Sequence, residues 1–182
     1  MDYQSLELCK AGDALSIEKM IQEYQKDVYR LALSILDDPD EAEDGTQETF
    51  ISALRALNSF HGDSSFKTWL FSIAINICRT RLQRRAAREK LKQITLGIFR
   101  IKSKDNNLPE ETLIQNEADT NIWRAIQQLD DKHSIPIVLR YYHDLSISEI
   151  AETLKIPQGT VHSRLNIARE RIRLFLKKSQ ND

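Results

Sequence analysis

Apolar residues recur at three- and four-residue spacing along most of this chain, and no stretch shows the two-residue alternation of a half-buried strand. Ile17, Met20, Ile21 and Tyr24 share one helical stripe, and Val28, Leu31, Ala32 and Ile35 share another. Only 5 Gly and 4 Pro are spread over 182 residues, too few for the frequent turns of an all-β fold. The expected fold is all-α: an N-terminal helical bundle over 1–90, a flexible linker over 91–118 and a C-terminal helix-turn-helix domain over 119–182. The linker is placed by the composition of "SKDNNLPEE" (103–111) and by the loss of periodicity around it.

The stretch "LSISEIAETLKIPQGTVHSRL" (145–165) is the most informative local pattern. Ser146 with Glu149 three residues on fits a capping box. Ile147, Ile150, Ala151 and Leu154 then fall on one face. "KIP" (155–157) makes the turn, and a second helix follows over 158–171, with Val161, Leu165, Ala168 and Ile172 on its inward side. Two short helices at this spacing match the plan in which the second helix enters the major groove. Thr160, His162, Ser163, Arg164 and Asn166 have side chains that can donate to bases or phosphates. Three helices packed only for stability are the alternative.

In the first half, "DDPDEAED" (37–44) restarts the helical pattern, with Pro39 and the following acids suited to a helix start. A helix over 40–57 puts Ala42, Thr46, Thr49, Phe50, Ala53, Leu54 and Leu57 inward. Asp44, Gln47, Glu48 and Ile51 lie together on another face, a protein-docking patch or a merely solvated one. Gly45 is costly in mid-helix, by about 1 kcal/mol against Ala. "SFHGDSSF" (59–66) is turn chemistry, with Ser64 or Ser65 capping a helix over 66–90. On that helix Phe66, Leu70, Ile73, Ala74 and Ile77 face the core. Ser72, Asn76, Arg79 and Gln83 form a polar line, and Arg81, Arg84, Arg85 and Arg88 a basic stripe. Such a helix below a Gly-Asp-Ser loop suits a single strand or a duplex edge. Trp69 and Phe71 could stack on bases, but core positions are the expectation.

A net charge of −1 hides segregation. Residues 1–66 carry fourteen acids against five bases, and 79–104 carry ten bases against one acid. Residues 105–153 are acidic again, and 154–182 basic. Two basic blocks provide two places to meet phosphate. No apolar run is long enough to span a bilayer. The first residues lack a basic start followed by an apolar stretch, so no secretory leader is expected. Cys9 and Cys78 have no metal-type spacing and are expected as free thiols in a reducing cytoplasm. The four histidines show no metal-ligand spacing, and the acids of 37–44 spread around a helix rather than converging. Neither a metal nor any other cofactor is expected, and a nuclease is disfavoured.

Three motifs together resemble the extracytoplasmic-function group of bacterial sigma factors: "DEAEDGTQETF" (40–50), "FHGDSSFKTWLFSIAINICRTRLQRR" (60–85) and "LSISEIAETLKIPQGTVHSRLNIARERIRLFL" (145–176). The resemblance implies a promoter-specificity subunit in the bacterial cytoplasm, not an enzyme. It implies docking on the clamp helices of the largest subunit of RNA polymerase core through Asp44, Gln47, Glu48 and Ile51. The minus-ten element would be captured as a single strand by His61, Gly62, Asp63, Ser64 and Ser65 with Asn76, Arg79, Gln83 and Arg84. The minus-thirty-five element would be read by Thr160, His162, Ser163, Arg164, Asn166 and Ile167. An anti-sigma factor is implied as inhibitor. The chain departs from the family pattern at Gly45, Thr80, Asp130, Ser134, His162 and Ile167, so no standard promoter sequence is expected. A stand-alone helix-turn-helix regulator is the alternative; it explains 145–173 but leaves the acidic and arginine helices without a role.

Overall fold

Aspartates open the first three helices. Asp2, Asp13 and Asp38 each accept a hydrogen bond from the backbone N–H three residues on, at 2.7, 2.8 and 2.9 Å. These bonds satisfy donors that a helix start leaves unpaired. The computed structural model describes residues 2–96 and 117–179. Among them are α1 (Tyr3–Lys10), α2 (Ala14–Leu36), α3 (Pro39–Ala56), a 3₁₀ turn at Leu57–Ser59, α4 (Phe66–Leu96), α5 (Glu117–Gln127), α6 (Asp131–Tyr141), α7 (Ile147–Leu154) and α8 (Gln158–Ser179). No strand occurs among the described residues. Most of the 91–118 linker lies outside them.

Helices α2, α3 and α4 pack together through Val28, Leu31, Phe50, Ala53, Leu70 and Ala74, all buried. Helices α5 to α8 form the second bundle around Trp123, Ile135, Ile150, Val161 and Leu165. The two bundles share one hydrophobic core, because α4 packs against α7 and α2 against α6. At that junction Phe71 meets the ring of His143 edge-on, with centroids 4.9 Å apart. At its edge the Gln127 amide donates to the Asp37 carboxylate.

Several local expectations meet a different outcome. Helix α4 continues to Leu96, past 90, because nothing in "LKQITL" stops a helix. Pro136, whose residue type suggests a helix start or a kink, does not start a helix. It sits buried inside α6, whose start is five residues earlier at Asp131. The missing N–H forfeits one backbone bond, which the helix sustains because Ile135, Ile137, Val138 and Leu139 are all buried around it. The inward side of α4 includes Phe71, Ile75 and Cys78 more fully than Ile73 and Ile77, which are only partly buried. Phe71 is a core residue as expected, and Trp69 is partly buried against the core, its ring tilted to Phe60 and Phe66 at 5.1 and 5.4 Å. Both cysteines are free and buried, and burial pushes the Cys78 thiol up to about 12.

Candidate nucleic-acid and protein interface

The acidic face of α3 is built as its spacing implies. Asp44, Gln47 and Ile51 are exposed and Glu48 is half-buried, on the side opposite Ala42, Thr49 and Phe50. Ile51 leaves 50% of its surface in water. The face is not free-standing, however. Arg81 of α4 reaches across to Glu41 at 3.3 Å, Asp44 at 3.6 Å and Glu48 at 3.0 Å. Its side chain is 20% exposed. Burial works against the guanidinium's charge, but the bonds to Glu48 and Glu41 outweigh it and push its proton affinity up. Arg81 therefore leaves the basic stripe expected of it: its position on α4 faces α3 rather than solvent. Arg85 also turns inward, to the Leu36 carbonyl at 3.4 Å, although it stays largely exposed. Arg84 and Arg88 are exposed.

Gly45 belongs to the same contact. It is buried beneath Arg81, and a Cβ there would lie 3.4 Å from Leu36 Cδ1 and 3.9 Å from Arg81 Cδ. Those are ordinary contacts, so one methyl fits. Gly45→Ala is expected to raise stability by roughly 0.5–1 kcal/mol, the helix-propensity difference, seen as a higher thermal midpoint. A larger aliphatic side chain would displace Arg81 and cancel the gain.

The 61–65 loop leads directly into α4. Ser65 caps the helix, accepting from the Thr68 N–H at 3.1 Å. His61, Gly62, Asp63 and Ser65 are exposed and Ser64 is half-buried. Gly62 has φ +83, a backbone form that favours glycine. On α4 itself Asn76, Gln83 and Arg84 are exposed and Arg79 is half-buried, so the polar line faces outward. Thr80 bonds back to the Asn76 carbonyl at 2.9 Å and stays exposed.

In the second bundle the capping box is present in both directions. The Glu149 N–H donates to Ser146 Oγ at 3.2 Å, and the Ser146 N–H to Glu149 Oε2 at 2.8 Å. The Ser146 hydroxyl, which donates to Glu149 Oε2 at 2.7 Å, and then the Ser146 N–H hold the Glu149 carboxyl below its ordinary range. Lys155 ends α7 in the left-handed region, and Pro157 precedes α8, its carbonyl accepting from the Thr160 N–H at 2.9 Å. His162, Ser163, Asn166 and Ile167 are exposed, with Thr160 and Arg164 half-buried. Val161, Leu165 and Ala168 are buried beneath them. Asn166 is partly engaged, accepting from Arg169 at 2.9 Å.

Two features escaped the sequence. Tyr141 accepts from Arg169 Nε at 2.9 Å, which braces the outer side of α8 against α6. Asp130, a departure from the family pattern, bonds His133 and pairs with Arg171 at 3.7 Å and Lys132 at 3.6 Å. Desolvation would raise the Asp130 carboxyl, but the His133 bond and these cations hold it low. Arg171 is thus tied to the start of α6. Among the described residues no group of three His, Cys, Asp or Glu is placed to hold a metal, and no helix is long and apolar enough to cross a membrane.

The pattern of Sigma-70 region 2 matches residues 20–88, and that of Sigma-70 region 4 matches residues 125–174. The RNA polymerase sigma-H factor of Pseudomonas aeruginosa is 35% identical over 176 residues, covering 94% of this chain and 91% of that protein. The chain belongs to the extracytoplasmic-function sigma factors. SigW of Bacillus subtilis is 34% identical, with 92% of each chain covered, and the sigma-E factor of Escherichia coli K12 is 34% identical, with 94% and 92% covered. Among solved structures, the sigma factor RpoE bound to the anti-sigma factor NepR from Bartonella quintana superimposes with TM-score 0.70 at 24% identity, covering 88% of this chain and 96% of that one. CnrH in complex with the cytosolic domain of CnrY gives 0.69 at 22%, with 96% of each covered. These two likenesses bear on the fold. The region 2 match falls on α2–α4 and the region 4 match runs from the end of α5 through α8, with the helix-turn-helix at α7–α8. The chain is an alternative sigma factor acting in transcription initiation with RNA polymerase and promoter DNA.

Proposed function

We propose that this sigma factor divides its work among three faces. Asp44, Gln47, Glu48 and Ile51 dock on the clamp helices of the largest polymerase subunit. The 61–65 loop with Asn76, Arg79, Gln83 and Arg84 holds the unpaired minus-ten strand. Thr160, His162, Ser163, Arg164, Asn166 and Ile167 meet the minus-thirty-five duplex, where Ile167 in place of a basic residue favours contact with a thymine methyl. The chain contributes binding energy, and bond-making stays with the polymerase. The bacterial cytoplasm is its place of action, and the anti-sigma complexes among its structural relatives support an anti-sigma inhibitor here too. The observation that carries the docking assignment is the exposed α3 face, where an apolar residue sits among acids whose geometry Arg81 sets.

The test is reconstitution with bacterial core polymerase on gel filtration. The wild-type chain is expected to co-elute, and the double variant Asp44→Ala, Gln47→Ala to lose co-elution. Co-elution kept by the double variant would remove the docking assignment. No co-elution of the wild type at micromolar concentration would favour a stand-alone helix-turn-helix regulator.

A further inference from the structure

We propose that Tyr3, in the first turn of α1, completes the site for an unpaired base by stacking on it at the mouth of a cavity beside the 61–65 loop. This rests on the minus-ten reading above and adds to it a residue from a helix outside the three motifs. The cavity holds about 300 Å³. Its floor is aromatic: Phe66 lies 5.3 Å from Tyr24 and 5.6 Å from Phe60, centroid to centroid, and all three rings are buried. Tyr3, Gly62 and Ser64 also line it.

Tyr3 is 78% exposed, while Leu6 and Cys9 of the same helix anchor α1 in the core. The helix thus holds a flat ring in water at the edge of an aromatic pocket, where a second flat ring would recover the surface left wet. At Gly62 the backbone is left-handed and nothing lies within 4 Å of where a Cβ would stand, so a ligand can approach the main chain closely. Ser64 offers a hydroxyl to a base edge.

The charges select which part of a nucleotide enters. Asp2 lines the cavity and Asp63 stands in the adjoining loop. The lysine in the lining, Lys67, is already paired with Asp27 at 2.9 Å. The lining therefore offers phosphate no unpaired lysine or arginine. The uncharged base fits inside, and the backbone is left to the outward polar line and arginines of α4.

The experiment uses holoenzyme assembled from the full chain and bacterial core polymerase. The probe is a pool of short random single-stranded oligonucleotides carrying 2-aminopurine, with core polymerase alone as background. Tyr3→Ala is expected to weaken binding roughly 5- to 150-fold, the range for loss of one stacked base. It should also relieve the quenching of 2-aminopurine that stacking causes, while core binding on gel filtration stays intact. Tyr3→Phe should restore both affinity and quenching. If Tyr3→Ala binds like wild type while Arg84→Ala binds weakly, this inference is overturned and the minus-ten reading stands. If neither variant binds more weakly, the minus-ten reading falls as well.

Discussion

Phe71→Ala is expected to cost about 3–5 kcal/mol of folding stability, the range for removing a large aromatic from a packed core. The Phe71 ring is 0% exposed. It projects from α4 toward the region 4 half, meets His143 edge-on and has the Lys67 ammonium 5.4 Å from its centroid. Truncation leaves a void bordered by elements of both halves, which cannot collapse without moving one bundle against the other. The measurement is urea denaturation followed through tryptophan. The chain has 2 tryptophans, Trp69 in one half and Trp123 in the other. Trp69→Phe and Trp123→Phe backgrounds therefore report each half separately. A shared core requires each background to unfold in a single transition, and Phe71→Ala to lower the midpoint in both. A loss below about 1 kcal/mol, or midpoints that separate in the wild type, would mean that the halves do not stabilise each other.

His143 makes the same junction sensitive to pH. The imidazole is 7% exposed. Burial pushes it down to about 4; Asp27 and Asp144 pull it upward, and Lys67 and Arg30 push it further down. An unfolded or separated His143 ionises near its ordinary value of about 6.5. The packed state therefore binds fewer protons between these values, and stability must fall as pH falls. The contribution is complete above about pH 6.5. It declines by about 1.4 kcal/mol at pH 5.5 and by about 3 kcal/mol at pH 4, where it is largely lost. The carboxyls of Asp130 and Glu149, both held low, add their own losses as pH falls below about 4.5. His143→Phe keeps a ring against Phe71 and removes the proton site. Its urea midpoint should stay nearly level between pH 6.5 and pH 5, above the carboxyl range, while that of the wild type drops. Parallel slopes for the two proteins would rule out His143 as the source.

What was legible in the sequence was local. The capping box of Ser146 and Glu149, the turn at 155–157 and the buried stripe of Val161, Leu165 and Ala168 are set by residues three or four apart, and periodicity finds such pairs. The exposed face of α3 was legible for the same reason. Arg81 was not, because its partners Glu41 and Glu48 lie 40 and 33 residues away and an arginine among arginines looks like a solvated stripe. Gly45 was an anomaly until α4 was seen crossing it. Pro136 by itself suggests a helix start or a kink, and the burial of its neighbours keeps it inside α6 instead. The Phe71–His143 contact joins residues from separate bundles, and no spacing rule encodes it.

The shared core has a consequence for reach. Promoter elements centred near minus ten and minus thirty-five are separated by roughly 25 base pairs, or about 85 Å of B-form DNA. A compact chain of this length has a radius of gyration of about 16 Å. On the proposed assignment, the packed form holds both DNA readers too close together to touch both elements at once. Engaging a whole promoter therefore means unzipping the seam at Phe71 and His143 and wetting its apolar surface. The strength of that seam is a toll on every initiation event. Whatever loosens it, a falling pH included, brings the protein nearer to its extended working span.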